Sequence, residues 1–359
     1  MMPRKFGPNW FTVGMGTGIV ALDAFLLPNA PLWLKHVGTV LWLLNAALVA
    51  LFMVLMARRA FTDWKGFRAI FRHPQQSMFF GAIPMALTTV VNGFIEMGGS
   101  LMGDASAYHV ALVLWVFNAV LALLSGLVVP YLMFTRHPHE LATMTALWLM
   151  PIVPAEVSAA SGALLLPHLA NVGLRHTMFL LSAAFWAMSV PLGLLLLGLL
   201  FLRLVVHHLP PADMAISTWI SLGTLGTGIM GLVLLGQDSQ RLFPHLAPGI
   251  AGGSALLALI LWGFGLWWFL QSIFLTVHYL HQQSLPFNLG WWGLTFPLGV
   301  FAAGTDLLFK TFAMVALKDA AWIFFGLLVL FWITVALRTL WSLRPPFAAE
   351  AAPPLLKAQ

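Results

Sequence analysis

The chain has 359 residues, 60% hydrophobic and only 8% charged, with 17 basic and 11 acidic side chains and a net charge of +6. Soluble domains carry roughly 25% charged residues, so a water-soluble enzyme is excluded, and the apolar content excludes a disordered chain. Long apolar runs without period-2 alternation exclude a transmembrane barrel and leave a polytopic α-helical membrane protein.

In chain order, the apolar runs predict spans near 10–27, 38–56, 78–101, 107–134, 141–166, 178–202, 216–235, 252–276, 291–309 and 320–340. Each is close to the ~20 residues that cross ~30 Å of hydrocarbon. The connections are short, so residues 1–344 read as a single ten-helix membrane domain, followed by a disordered tail over 345–359. The basic start at Arg4 and Lys5 is followed by no small-residue cleavage site, so the first run reads as a retained helix. With these spans, twelve basic residues fall on one side and five on the other (Lys35, Arg175, Arg241, Lys310 and Lys318). The positive-inside rule then puts both termini in the cytoplasm, in the cell's inner membrane. The net positive charge therefore reads as topology and not as a nucleic-acid signal. Cysteine is absent, so disulfides, zinc-thiolate sites and thiol nucleophiles are excluded.

The odd and even spans differ in texture. Span 1 contains Gly16-Thr17-Gly18-Ile19 and span 7 contains Gly226-Thr227-Gly228-Ile229. Span 3 carries Pro84, Thr88, Thr89 and Asn92. Span 5 carries Pro151, Pro154, Glu156, Ser158, Ser161 and Gly162. Span 9 carries Pro297, Gly299, Gly304 and Thr305. Spans 6, 8 and 10 are mostly Leu, Phe, Trp and Ala. Pro and Gly inside a span release backbone groups that need a protein or water partner, and small residues let helices approach closely. The odd spans are therefore expected to form an inner ring and the even ones a lipid-facing shell, as five helical hairpins. Tight packing of Gly-rich helices is the alternative reading of the same motifs.

Phe6-Gly-Pro-Asn-Trp-Phe11 running into Met15-Gly-Thr-Gly-Ile-Val20 resembles the first helix of the tellurite-resistance/dicarboxylate transporter family, the superfamily of the slow anion channels. Three further segments carry the resemblance: His73-Pro74 with Ser77 to Gly81 and Pro84; Trp148 to Pro151 with Pro154 and Ala160 to Gly162; and Trp291-Trp292 with Thr295-Phe296-Pro297. The first helix is nearer the malate permease and sulfite efflux branch than the plant channels. The resemblance implies ten helices as five hairpins around a quasi-fivefold central pore lined by the odd helices, in a homotrimer. It also implies a phenylalanine gate, and the matching residue is Phe296. Ordinary packing is the alternative for Phe296, one of 28 phenylalanines.

The expected anion path comprises Gly16, Thr17, Gly18, Thr89, Asn92, Ser158, Ser161, Gly226, Thr227, Gly228 and Thr305, whose hydroxyls, amide and freed backbone N–H groups are the available donors. The alternative is hydroxyls bonding back to their own helices. Charges at membrane depth are functional candidates by default, here Asp23, Glu96 and Glu156. A fixed carboxylate repels a passing anion and a protonated one does not, which makes Glu156 a candidate for proton coupling. A structural carboxyl between helices is its alternative. No His pair suits haem, and no zinc-protease, nucleophile-elbow or phosphate-loop motif is present, so no cofactor and no metal are expected. The 16 tryptophans read as interfacial anchors. These observations lead to a transmembrane transporter or channel for small anions. A C4-dicarboxylate such as malate is the leading substrate, and sulfite or another oxyanion, tellurite included, is the alternative. An intramembrane enzyme or redox protein is the rival from another class.

Overall fold

The computed structural model describes residues 6–282 and 285–343, so the expected tail over 345–359 lies outside the described residues. The described residues contain no strand. Ten main helices follow one another: α1 (Phe11–Leu26), α2 (Leu32–Thr62), α3 (Ala82–Glu96), α4 (Asp104–Thr135), α5 (Val153–Leu165), α6 (Val172–His207), α7 (Ser221–Leu242), α8 (Ala247–Gln282), α9 (Phe296–Phe312) and α10 (Val315–Ser342). Eight helical segments are long and apolar enough to cross a membrane. For α3, α7 and α9 that length includes the helical turns leading into them (Pro74–Glu96, Ala212–Leu242 and Leu289–Phe312), whereas α1 with 16 residues and α5 with 13 fall short of it. Their position accounts for this. Both are walled off from lipid by neighbouring helices, so neither needs an apolar run matched to the bilayer.

The odd helices form the inside of the bundle. α1 packs on α3, α3 on α5, α5 on α7, α7 on α9 and α9 back on α1, which closes a ring of five. Each even helix leans on its own odd partner and on the next odd helix around the ring. The apolar windows of α3, α7 and α9 are 78%, 89% and 78% buried, whereas those of the even helices are 28% to 33% buried. Exposed leucines and phenylalanines such as Leu195, Phe201, Leu257 and Phe274 therefore lie on the even helices, as a lipid-facing shell requires.

Three prolines of the inner helices lie near helix starts, whereas Pro130 and Pro191 lie inside α4 and α6. Pro154 and Pro297 occupy the first turns of α5 and α9, and Pro84 is the third residue of α3. At the first-turn positions of Pro154 and Pro297 the missing N–H is one that a helix start leaves unpaired. The sequence expectation that they interrupt the spans is corrected accordingly. The fifth span, expected over 141–166, becomes a 3₁₀ turn at Ala146–Leu149 followed by α5 from Val153. Similar 3₁₀ turns precede the other inner helices, at Pro8–Trp10, Phe79–Gly81, Ala212–Ile220 and Leu289–Leu294.

Five tryptophans join the shell to the ring. Trp42 Nε1 on α2 donates to the Val90 carbonyl on α3 at 3.3 Å, and Trp115 on α4 to the Ser158 carbonyl on α5 at 2.9 Å. Trp186 on α6 donates to the Gly228 carbonyl on α7 at 3.0 Å, and Trp262 on α8 to Thr305 Oγ1 on α9 at 3.0 Å. Trp332 on α10 completes the circuit at Thr17 Oγ1 on α1, at 3.1 Å. An indole N–H in hydrocarbon has no water to bond, so each bond both satisfies a donor and fixes the rotation of an outer helix. These five positions are separated by 73, 71, 76 and 70 residues, a fivefold internal repeat. For them the interfacial-anchor reading is replaced by one of helix clasps.

Between α2 and α3 lies a short helix, Trp64–Arg72, with an aromatic stripe (Trp64, Phe67, Phe71) beside a basic one (Lys65, Arg68, Arg72). The Asp63 carboxylate caps it by accepting from Gly66 N at 2.9 Å.

Candidate functional site

A cavity of about 190 Å³ lies inside the ring, and all five odd helices contribute to its wall. Its residues follow helical stripes: Ile19, Leu22, Asp23 and Leu26 on α1; Thr89, Asn92 and Glu96 on α3; Val157, Ala160 and Leu164 on α5; Thr227, Met230 and Leu234 on α7; and Phe296, Val300, Ala303 and Lys310 on α9. Spacings of three and four keep each stripe on one helix face. The wall is mainly apolar, and its charged groups gather towards the C-terminal ends of the inner helices. There Lys310 Nζ lies 2.7 Å from Asp306 Oδ2, with Asp23 and Glu96 on the same wall. Phe296, the first residue of α9, is the lining residue nearest the 3₁₀ turns, and none of those turns contributes to the wall.

Of the residues expected on the path, Thr89, Asn92, Thr227 and Phe296 line this cavity. The remainder lie at helix contacts around it. A Cβ on Gly16 would stand 2.2 Å from Thr295 Oγ1 and 2.6 Å from Trp292 Cε3, so this glycine admits the turn that carries Phe296. Gly18 abuts Thr89 and Asn45 in the same way. A Cβ on Gly226 would stand 2.5 Å from the Phe301 backbone nitrogen, so α7 and α9 touch backbone to backbone. Gly228 packs against Leu261 and Val190. Thr17 and Thr305 receive the tryptophan clasps. Ser158 Oγ accepts from Asn118 Nδ2 at 2.9 Å. Glu156 is fully buried and absent from the cavity wall, but its Oε1 is 2.8 Å from Thr227 Oγ1, which does line it.

Most hydroxyl donors on the wall are already committed. The Thr88 hydroxyl gives its one hydrogen to the Pro84 carbonyl, and that of Thr89 goes to the Ala86 carbonyl. Each then accepts an outer-helix amide, from Asn118 at 2.8 Å and Asn45 at 2.9 Å respectively. Thr227 is held by the Gly223 carbonyl at 2.6 Å and by Glu156. Asn92 differs. Ser161 Oγ donates to its Oδ1 at 2.5 Å, which fixes the amide and leaves Nδ2 with no protein acceptor among the described residues. The ring thus presents one oriented amide donor at mid-depth and one ammonium, Lys310, near the rim.

Sequence reasoning missed Asp306 and Lys310 as cavity groups, having counted Lys310 among loop charges. Their i,i+4 spacing was the available signal. It also missed the apolar wall, because an apolar inner face gives no contrast with an apolar outer one.

A closed ring of helical hairpins around a cavity within one chain is an architecture suited to a membrane channel or carrier. The chain belongs to the SLAC1 family, described as voltage-dependent anion channel, whose family model matches residues 5–340. It is an anion transporter or channel of that family. It is 36% identical to the sulfite efflux pump SSU1 of Arthroderma otae over 94% of this chain and 91% of that protein. It is 31% identical to an uncharacterized transporter of Methanocaldococcus jannaschii, with 94% of each chain covered. The malic acid transport protein of Schizosaccharomyces pombe is 19% identical over 82% of this chain and 68% of its own length.

Proposed function

We propose that the chain conducts small oxyanions through the cavity between its five inner helices, with sulfite as the leading substrate and malate second. This reverses the order expected from the sequence, and the comparisons motivate the change. The relative named as a sulfite pump is 36% identical, whereas the malic acid transport protein is 19% identical. The observation that carries the reading is Asn92, whose oriented amide is the uncommitted mid-depth donor among the described residues of a mainly apolar wall. A compact oxyanion needs one donor cluster, whereas a C4-dicarboxylate needs partners at both ends. Anion selectivity from dipolar donors avoids the deep trap that a fixed positive charge would create. Phe296 serves as the gate, because it stands where the wall ends and the 3₁₀ turns begin.

The ten helices cross the membrane with both termini in the cytoplasm of the cell's inner membrane. Supporting this, Arg58, Arg59, Lys65, Arg68, Arg72, Arg136, Arg203 and Arg338 lie at the end where the inner helices begin, against Lys35, Arg175, Arg241, Lys310 and Lys318 at the other. The family resemblance supports a homotrimer and an anion carrier in place of an enzyme. Flux from proteoliposomes loaded with sulfite, malate, nitrate or chloride tests the substrate. Sulfite is expected to leave at least tenfold faster than malate. Faster malate flux would restore the dicarboxylate, and no flux of any anion would remove the reading.

Glu156 is the candidate proton carrier. The Thr227 hydroxyl has one hydrogen but two acceptors within 2.8 Å, Glu156 Oε1 and the Gly223 carbonyl. A protonated Glu156 resolves this by donating to Thr227 Oγ1 while Thr227 donates to Gly223. Glu156→Gln keeps that donation and removes ionisation. It is expected to flatten the pH dependence of flux while leaving folding intact. An unchanged pH profile assigns Glu156 to structure alone.

A further inference from the structure

The basic end of the bundle carries a second cleft, remote from the central cavity. It has a volume of about 580 Å³ and is lined by Trp64, Arg68, Phe71 and Arg72 of the short helix and by Leu132 and Arg136 of α4. Arg68 and Arg72 are one helical turn apart on the first element, and Arg136 caps the end of the second, so three arginines line one cleft. None of the three makes an ion pair or donates a side-chain hydrogen bond among the described residues. The nearby Asp63 is occupied as the cap of the short helix. Exposed, uncompensated guanidinium groups with bidentate geometry select phosphate.

A second observation points to what carries the phosphate. Directly beside this cleft runs an almost wholly apolar groove of about 420 Å³ between α2 and α4, with Met53 and Ala57 on one wall and Leu124 and Val128 on the other. Phe71 lines both spaces and stacks on Phe80 at 4.1 Å, so the cationic cleft and the groove share one aromatic partition. Leu124 and Val128 are exposed on the lipid-facing shell, so the groove opens to the bilayer. Trp64 and Phe61, 56% and 89% exposed, mark the interfacial depth. A cationic site at the interface joined to an apolar slot in the hydrocarbon matches the head and one chain of an anionic phospholipid.

We propose that this paired cleft and groove hold an anionic phospholipid, its phosphate on Arg68, Arg72 and Arg136 and one acyl chain between α2 and α4. The lipid ties the short helix to α4 at the end of the bundle where the inner helices begin.

Native mass spectrometry of the full-length, delipidated protein tests this, with phosphatidylglycerol, phosphatidylcholine of the same chains and inorganic phosphate as probes. Phosphatidylglycerol is expected to be retained at a concentration at least tenfold lower than phosphatidylcholine. Arg68→Gln/Arg72→Gln/Arg136→Gln is expected to abolish that preference, while Arg58→Gln, on the same face but outside the cleft, leaves it intact. All these side chains are exposed, and the single variant Arg136→Gln gives the same reading if the triple variant does not purify as one species. Leu124→Trp fills the groove and is expected to weaken phosphatidylglycerol retention with the arginines untouched. Equal retention of the two lipids, or full retention by the triple variant, overturns the proposal. So does complete displacement by inorganic phosphate together with no effect of Leu124→Trp, which would make the cleft a free-anion site.

Discussion

Phe296→Ala is expected to raise sulfite flux at matched protein density by tenfold or more, equivalent to removing about 1.4 kcal/mol or more of barrier. The ring lies on the cavity wall at the end nearest the 3₁₀ turns. The wall also carries Ile19, Thr88, Val157 and Thr227, all smaller side chains than phenylalanine. An apolar ring across a narrow passage excludes a hydrated anion both by size and by dewetting. Shortening it to leucine should give an intermediate flux. Truncation of a packed phenylalanine costs about 3–5 kcal/mol of stability, but a side chain bordering a void has fewer partners to lose, so the variant is expected to fold. Phe301 is the contrast. One turn further along α9 it is fully buried, packed against the Gly265 backbone and meeting Phe324 at 5.2 Å. Phe301→Ala should lower thermal stability and leave flux per folded protein unchanged. Wild-type flux in Phe296→Ala would place the closure elsewhere.

Gly226→Val is expected to abolish, or nearly abolish, the recovery of folded protein. A Cβ there would lie 2.5 Å from the Phe301 nitrogen and 2.6 Å and 2.7 Å from the Val300 carbonyl carbon and oxygen. These are backbone atoms of α9, so no rotamer change relieves the overlap, and α7 and α9 must separate. Gly304 faces the same contact, its Cβ position 3.1 Å from the Gly226 carbonyl oxygen. Overpacking costs about 1–3 kcal/mol where side chains can yield, and more where they cannot. Even Gly226→Ala, which gains about 1 kcal/mol of helix propensity, should lower the melting temperature. Gly326 on α10 has nothing within 4 Å of its Cβ position, so Gly326→Ala should be neutral or stabilising. Fluorescence-detected size exclusion after a temperature series separates the two outcomes. Equal melting of Gly226→Ala and Gly326→Ala would show that α7 and α9 do not depend on this contact.

The apolar runs made the ten helices legible, and the Gly/Pro/Thr texture correctly separated inner from outer ones, because burial inside a ring tolerates small and polar residues that lipid does not. Boundaries were harder where composition stays apolar while the backbone changes. Residues 141–166 read as one span, yet the helix begins only at Val153. Thr17, Gly18, Gly226 and Thr305 drew attention as small polar groups, but their chemistry is spent on close approach and on tryptophan clasps. The cavity face itself was not legible. Ile19, Val157 and Met230 line it, and nothing in their character distinguishes them from residues facing lipid. Asn92 was named as a donor among others. That it is the uncommitted one depends on Ser161, 69 positions away, which no local pattern reveals.

The central claim is that anions pass between the five inner helices of one chain. The absence of cysteine makes the test direct, since any introduced thiol is the only one present. Ala303 on α9 lines the cavity, whereas Leu195 on α6 is exposed on the outer shell. Ala303→Cys and Leu195→Cys would be reconstituted separately, alkylated with iodoacetate, which leaves a negatively charged thioether that sulfite does not cleave, and assayed for sulfite efflux. Modification at Ala303→Cys is expected to abolish flux, and the same treatment of Leu195→Cys is expected to leave it unchanged. Undiminished flux through fully modified Ala303→Cys protein would contradict a path through this cavity.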